Sequence, residues 1–432
     1  MSAPRVLASL LAIALAAVPA RPSSDGNGRI VSVAKRDFET ARLGRLGLDR
    51  LMEKDGRVYI VAGPAEVEAL AVRRVAYAFE PERAPVLSAA GGINGAYHST
   101  LEMETDLRLL ERDHPGLARV VEIGQSLEGR RVLALKISDN AAENEAEPAV
   151  LILGCHHARE WISVEVPFLF GRYLLENYGL VPEVRDLVDS SEVWIVPIVN
   201  PDGLEYSIHV YRYWRKNRRA NADGTFGVDI NRNYGYRWGY DDYGSSGQPA
   251  SEVYRGPAPF SEPETTAVRD LFMGHDFRAV VSYHSYSQVI LYPWGYTTSP
   301  APREAELRTV AETMSGLIAA VSGTIYTAGQ ASSALYTTNG DTVDWTYGVA
   351  GTPSYTIELP PVDVDGGGFF NDESAIATIF AENLPALLYL TRYALDHPLP
   401  DRRREPPRPA SLRRPLADPG QTILRPTARL LR

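Results

Sequence analysis

The 432-residue chain has one cysteine, Cys155, so no intrachain disulfide can form. It has no excess of basic charge. Its 44 Lys and Arg stand against 54 Asp and Glu, a net charge of −10, which excludes the basic footprint of a general nucleic-acid binder. It contains no HExxH segment, so a zinc site carried by that motif on one helix is excluded. Beyond the N-terminus no run reads as long and apolar enough for a membrane helix, and no membrane span is expected. Histidine is scarce, eight in all, so each histidine near a carboxylate carries weight.

A hydrophobic content of 44% is ample for a large core. Residues 1–20 read as a secretory leader. Arg5 supplies the basic start, 7–18 form an apolar stretch too short to span a bilayer, and Val18-Pro19-Ala20 offers small residues for cleavage. The mature protein is expected to be secreted or periplasmic. Residues 29–85 carry strand-like runs at 29–33, 58–62 and 75–79. Between them lie helical spacing over 38–52 and a helix opened by Pro64, a small β-α-β-α-β module. A Gly- and Ala-rich linker at 86–96 follows.

The main domain is expected over 97–395. Strand-like runs at 120–123, 132–137, 149–153, 193–199, 279–283 and 354–357 alternate with helical runs at 100–112, 164–178, 262–272, 303–321 and 373–394. That alternation predicts an α/β fold, a mixed and mostly parallel central sheet with helices on both faces. The tail at 396–432, dense in Pro and Arg, is expected to be disordered.

The chemistry concentrates after the apolar run 149–153, in His157-Ala158-Arg159-Glu160. A spacing of three brings His157 and Glu160 together on one helical turn. Of the adjacent pair His156 and His157, only one can face a crevice at the strand ends, and His157 is the one in step with Glu160. His284 follows the apolar run 279–281. Two imidazoles and a carboxylate at strand ends form the donor set of an open catalytic zinc site. The quartet alone is weak, since Glu160 also reads as a helix-start carboxylate and His284 as a core histidine. Cys155 reads as a small buried hydrophobe. Glu358 ends the strand-like run 354–357, where a carboxylate is costly unless used or paired.

Further motifs follow in order: Asn200-Pro201-Asp202-Gly203, Trp214-Arg215-Lys216-Asn217, Asp229-Ile230-Asn231-Arg232-Asn233, Ser282-Tyr283-His284-Ser285-Tyr286, and Tyr355-Thr356-Ile357-Glu358-Leu359. With these the chain resembles the zinc carboxypeptidases of the pancreatic A/B type, most of all their secreted bacterial carboxypeptidase T branch. The resemblance covers nearly the whole main domain. It implies one Zn2+ per chain held by His157, Glu160 and His284, with Asp229 orienting His157. It implies Glu358 as general base and Arg215 as oxyanion donor. Arg159, Asn231, Arg232, Tyr286 and Tyr336 would contact substrate.

The implied end-residue pocket is lined by Leu291, Gly295, Ala331, Asp341, Val343 and Thr356. Asp341 beside apolar walls implies acceptance of both hydrophobic and basic ends, although Asn339-Gly340 before it is a strong turn signal and Asp341 also reads as a turn residue. The acidic pair Asp241-Asp242 does not make the roughly six- to eight-oxygen site calcium needs, so calcium is not supported. Residues 29–85 resemble the family's prosegment, with cleavage by an activating protease expected in the linker near Arg83. The expected activity is release of the C-terminal residue from peptides or proteins. A zinc amidase of cell-wall peptides and a non-catalytic zinc-bearing binding protein are the alternatives. Arg232 and Tyr336 argue against the first, and Glu358 against the second.

Overall fold

The computed structural model describes residues 29–46, 48–80 and 93–399. The leader at 1–20, Arg83, most of the linker at 86–96 and nearly all of the tail at 396–432 lie outside the described residues.

The N-terminal module builds its own sheet. Its elements are β1 (Arg29–Ala34), α1 (Lys35–Thr40), β2 (Asp49–Lys54), β3 (Arg57–Ala62), α2 (Pro64–Val72) and β4 (Tyr77–Phe79), with antiparallel strand order β2-β3-β1-β4. Val31, Val33, Phe38, Leu43, Val58, Ile60 and Leu70 form its core. The single helix expected over 38–52 is wrong. The α-helix stops at Thr40, a 3-10 turn covers Leu43–Leu46, and Asp49–Lys54 is a strand. The overlooked signal is Asp55-Gly56. Both take positive φ, 50° and 71°, the conformation of a tight hairpin turn, and the hairpin pairs β2 with β3. Cross-strand pairing then overrides the helical spacing of the leucines. Pro64 opens α2 as expected, with Glu66 Oε2 accepting from Gly63 N–H at 3.0 Å.

The main domain continues with α3 (Thr100–Asp113), β5 (Ala118–Gln125), β6 (Arg131–Ile137), β7 (Ala149–Leu153), α4 (Ile162–Asn177), α5 (Pro182–Val188), β8 (Glu192–Val196) and α6 (Pro201–His209). Then come α7 (Pro263–Gly274), β9 (Phe277–Ser285), β10 (Val289–Tyr292), α8 (Glu304–Ser322), β11 (Thr327–Gln330), α9 (Ala331–Ala334), α10 (Thr342–Ala350), β12 (Ser354–Leu359) and α11 (Ile376–Asp396). The eight strands run β11-β10-β12-β9-β7-β8-β6-β5. The four central ones, β12, β9, β7 and β8, are parallel, and the flanks are mixed. Strands β7, β8 and β12 are buried along their whole length, as expected of a sheet covered on both faces. One face packs against α4, α8 and α11 through residues such as Phe170, Ile318 and Leu387. The other packs against α7 and α10 through Phe272 and Trp345. The mixed α/β architecture is the one the alternation predicts. Strands β10 and β11 were not among the expected runs: β10 is a short apolar run of four residues, and β11, Thr-Ala-Gly-Gln, carries no strand pattern.

One correction concerns membranes. Residues 373–396 are long and apolar enough to cross a bilayer by length and composition. Yet Ile379, Ala386, Leu387, Leu390 and Ala394 of this helix are buried in the domain core beside α4 and α8. Its apolar character is that of a core helix.

Candidate active site

The site lies at the carboxyl ends of the parallel strands, where open α/β sheets place their crevices. After β7 the chain turns sharply. Gly154 has no room for a side chain, since a Cβ there would stand 2.2 Å from Ser163 O and 2.7 Å from Pro197 O. Cys155 N–H donates to Ser163 Oγ at 3.1 Å, and Glu160 N–H returns to His157 O at 3.2 Å. His157 and Glu160 therefore meet across a loop turn ahead of α4, not on a helix as their spacing suggests. The Cys155 thiol is buried, and burial pushes its pKa far up, as suits a packing residue. Strand β9 supplies His284 and β12 supplies Glu358. The parallel register sets these two directly side by side.

Glu160 Oε1 lies 2.8 Å from His157 Nδ1, and its Oε2 lies 3.0 Å from His284 Nδ1. The two Nδ1 atoms are 3.1 Å apart. All three side chains are buried. Burial alone would raise the Glu160 carboxyl, but His157 and His284 outweigh it and hold it far below the carboxylate range. Burial likewise lowers His284 and favours its neutral ring. Two nitrogen lone pairs and a carboxylate converging on one buried point fit a divalent cation, and the N/O donor set suits zinc.

The far side of each ring is also held. His157 Nε2 stands 3.3 Å from Asp229 Oδ1, and His284 Nε2 stands 3.0 Å from Ser282 Oγ. His156 points elsewhere, its Nε2 contacting Tyr234 Oη at 2.9 Å and Thr342 Oγ1 at 3.0 Å.

Around this cluster stand three buried arginines. Arg215 Nε and Nη2 both donate to Asp229 Oδ2, at 3.0 and 2.8 Å. Burial opposes the charge of Arg215, but Asp229 and Asp49 outweigh it and hold its pKa well up. Arg232 donates through Nε to Gly244 O at 3.0 Å and through Nη1 to Asn231 O at 2.8 Å. Asn231 Oδ1 accepts from Thr342 N–H at 3.0 Å. Arg159 lies over the Phe369 ring at 4.1 Å. Burial, and then Glu160, push the Glu358 carboxyl well above its usual range, with Arg215, Arg232 and Arg159 opposing.

Next to Glu358 and His284 is a cavity of ≈ 40 Å³ whose lining includes Asn231, Arg232, Tyr336, Asp341, Val343 and Thr356. Asp341 is both wall and turn residue: its Oδ1 caps α10 by accepting from Asp344 N–H at 2.8 Å. Tyr286 packs edge-on against Phe369 at 4.9 Å. Both residues of the acidic pair are tied to the protein: Asp241 Oδ1 accepts from Gly244 N–H at 3.0 Å, and Asp242 pairs with Arg255 at 2.7 Å.

Every site residue expected from the sequence is thus gathered around one crevice. Three others have no sequence signal. Asp49 of β2 enters the crevice from the module, its Oδ2 2.7 Å from Arg159 Nη2 and its Oδ1 3.7 Å from Arg215 Nη1. It lay hidden in the stretch read as helix. Phe369 follows the Gly366-Gly367-Gly368 run and covers Arg159 and Tyr286. Thr338, between Tyr336 and Asp341, reaches the pocket only because the chain folds back over Gly295.

Similarity to known proteins extends over most of the chain. The family model described as zinc carboxypeptidase matches residues 103–386. A zinc carboxypeptidase of Saccharothrix mutabilis subsp. capreolus is 34% identical over 381 residues, covering 82% of this chain and 86% of its own. Carboxypeptidase A1 of Rattus norvegicus is 34% identical over 305 residues, 70% of this chain and 71% of its own. The crystal structure of thrombin activatable fibrinolysis inhibitor superposes with a TM-score of 0.71 at 26% identity, covering 86% of this chain and 100% of that one.

Proposed function

The chain belongs to the zinc carboxypeptidase family and is a zinc metallocarboxypeptidase acting on peptide C-termini; from that premise we propose that it is an exported zymogen whose mature form accepts both hydrophobic and basic end residues. The observation that carries the site assignment is the register of β9 and β12. It sets Glu358 beside His284, with the Arg232 and Asp341 cavity next to both.

His157, Glu160 and His284 would hold the metal. Zinc bound there supplies a Lewis acid for the scissile carbonyl and acidifies the attacking water. Glu358 takes the water's proton and hands it to the leaving amine. Arg215 donates to the developing oxyanion through Nη1, because Nε and Nη2 are committed to Asp229. Arg232, a planar donor, receives the terminal carboxylate with Asn231, and Tyr336 closes over it. The clamp confines cleavage to the last peptide bond.

The module at 29–85 acts as a removable prosegment. Asp49 places a carboxylate against Arg159 and Arg215, where a substrate carbonyl oxygen would sit. Ile30, Leu51 and Val61 of the module pack with Tyr286 and Phe369, covering the approach to the site. The solved relative's own name, thrombin activatable, describes a protein switched on by another protein.

Replacement of Glu358 by Gln tests the mechanism. The zinc-loaded, proteolysed protein should lose about 10²- to 10⁴-fold in kcat on a peptide ending in Phe while keeping one zinc per chain. Wild-type turnover by that variant, or release by the wild type that persists under chelator, would sink the assignment.

A further inference from the structure

The floor of the end-residue pocket poses a physical problem. A pocket that takes Leu or Phe must be dry when filled, and a carboxylate left dry without a donor is costly. Asp341 is 4% exposed and faces this cavity. Its Oδ1 is spent on the N-terminus of α10. Its Oδ2 accepts a hydrogen bond from Thr338 Oγ1 at 2.6 Å.

Two features fix Thr338 in that position. Its backbone N–H donates to Gly295 O at 3.0 Å, and its side chain occupies the space a side chain at 295 would need. A Cβ on Gly295 would stand 2.1 Å from Thr338 Oγ1 and 2.9 Å from Asp341 Oδ2. The absent side chain at 295 therefore makes room for the Thr338–Asp341 pair. Gly295 is held in turn, its N–H donating to Asp344 Oδ1 at 2.9 Å.

We propose that Thr338 is the specificity-determining residue that lets this one pocket take both classes of end residue. With an apolar end bound, the Thr338 hydroxyl remains the donor to Asp341 Oδ2, so the carboxylate is satisfied without water. With Lys or Arg bound, the ligand cation supplies the donors, and the Thr338 hydroxyl hydrogen turns about the Cβ–Oγ1 bond and releases Oδ2. The residue serves as a built-in substitute for a basic side chain. This role rests on the two-class specificity proposed above.

The experiment compares kcat/KM on peptides ending in Arg, Lys, Phe and Leu, using the zinc-loaded full chain after limited proteolysis. Thr338→Val keeps the shape and removes the donor. It should raise the Arg-to-Phe ratio by about tenfold, through loss on the apolar ends. Thr338→Ser keeps the hydroxyl and should hold the ratio near that of the wild type. Thr338→Ala removes the donor without a branched side chain and should move the ratio in the same direction as Val, which covers the case of a poorly folding Val variant. A wild type that cleaves both classes, with the ratio unmoved in both Val and Ala variants, overturns the role of Thr338 alone. A wild type confined to one class overturns the two-class specificity itself, and with it the need for Thr338.

Discussion

At the scale of single residues, Asp341 divides two tasks between two oxygens: one caps α10 and the other faces the pocket. Replacing it with Gly would remove both. Asn is the cleaner substitution, because Asn caps a helix about as well as Asp and carries no charge. Asp341→Asn should therefore keep the melting temperature within about 2 °C and cut kcat/KM on Arg and Lys ends by about tenfold or more, sparing Phe and Leu ends. Equal losses on both classes would show that Asp341 acts only as a cap. The turn signal of Asn339-Gly340 was legible in the sequence, and the pocket position came with the family resemblance; Asp341 stands at both places, because a carboxylate has two oxygens to offer. The donor Thr338 was not legible. Nothing local distinguishes it from its neighbour Thr337, and only the fold of the chain over Gly295 does.

At the scale of elements, the strap at 93–99 ties the start of the main domain down. Tyr97 Oη donates to Asn371 O at 2.8 Å, and Ala96 N–H donates to Glu373 Oε2 at 2.8 Å. His98 is its anchor, with Nδ1 2.8 Å from Glu165 Oε2 on α4 and Nε2 3.1 Å from Asp106 Oδ2 on α3. Burial would lower the His98 pKa, but the Glu165 and Asp106 carboxylates outweigh it and raise it from 6.5 to about 9. The folded state thus binds the proton more tightly than the unfolded chain. The stabilisation is full below pH 6.5 and is lost as pH climbs through about 9. His98→Gln should lower the melting temperature near pH 6, by an amount worth about 2 kcal/mol, and the gap to wild type should close toward pH 10. A gap constant across that range would mean that His98 acts by packing on Phe168 alone.

The same scale shows where sequence patterns succeed and fail. The buried central strands and long helices were legible because each is long and periodic. Strand β2 was not, since leucines spaced for a helix were captured by pairing with β3 across the Asp55-Gly56 turn. The His157–Glu160 spacing was legible as a meeting of two side chains, but the meeting occurs on a loop turn.

At the scale of the whole molecule, the module and the main domain meet through charge as well as apolar packing. Lys54 reaches Asp363 at 2.8 Å and also pairs with Asp365, while Asp49 stands between Arg159 and Arg215. Asp49 is 2% exposed, so its removal leaves buried arginine charge with less compensation. Asp49→Ala should weaken docking by about 3 kcal/mol. In the uncleaved chain this should appear as higher activity on a short peptide and faster loss of the module in limited proteolysis. Unchanged values for both would show that the apolar contacts of Ile30, Leu51 and Val61 alone hold the module in place.

The sequence by itself determined the α/β architecture and the metal donors. The expected base, clamp and acidic pocket wall came with the resemblance to the zinc carboxypeptidases: Glu358 stands on an apolar strand, but Asn231 and Arg232 lie in a 3-10 turn and Asp341 caps a helix, where no strand pattern marks them. Only the tertiary structure decided that Asp49 fills the crevice and that His157 and Glu160 meet on a turn. It also decided that Thr338 satisfies Asp341. These depend on distances between segments far apart in the chain, which no local pattern encodes.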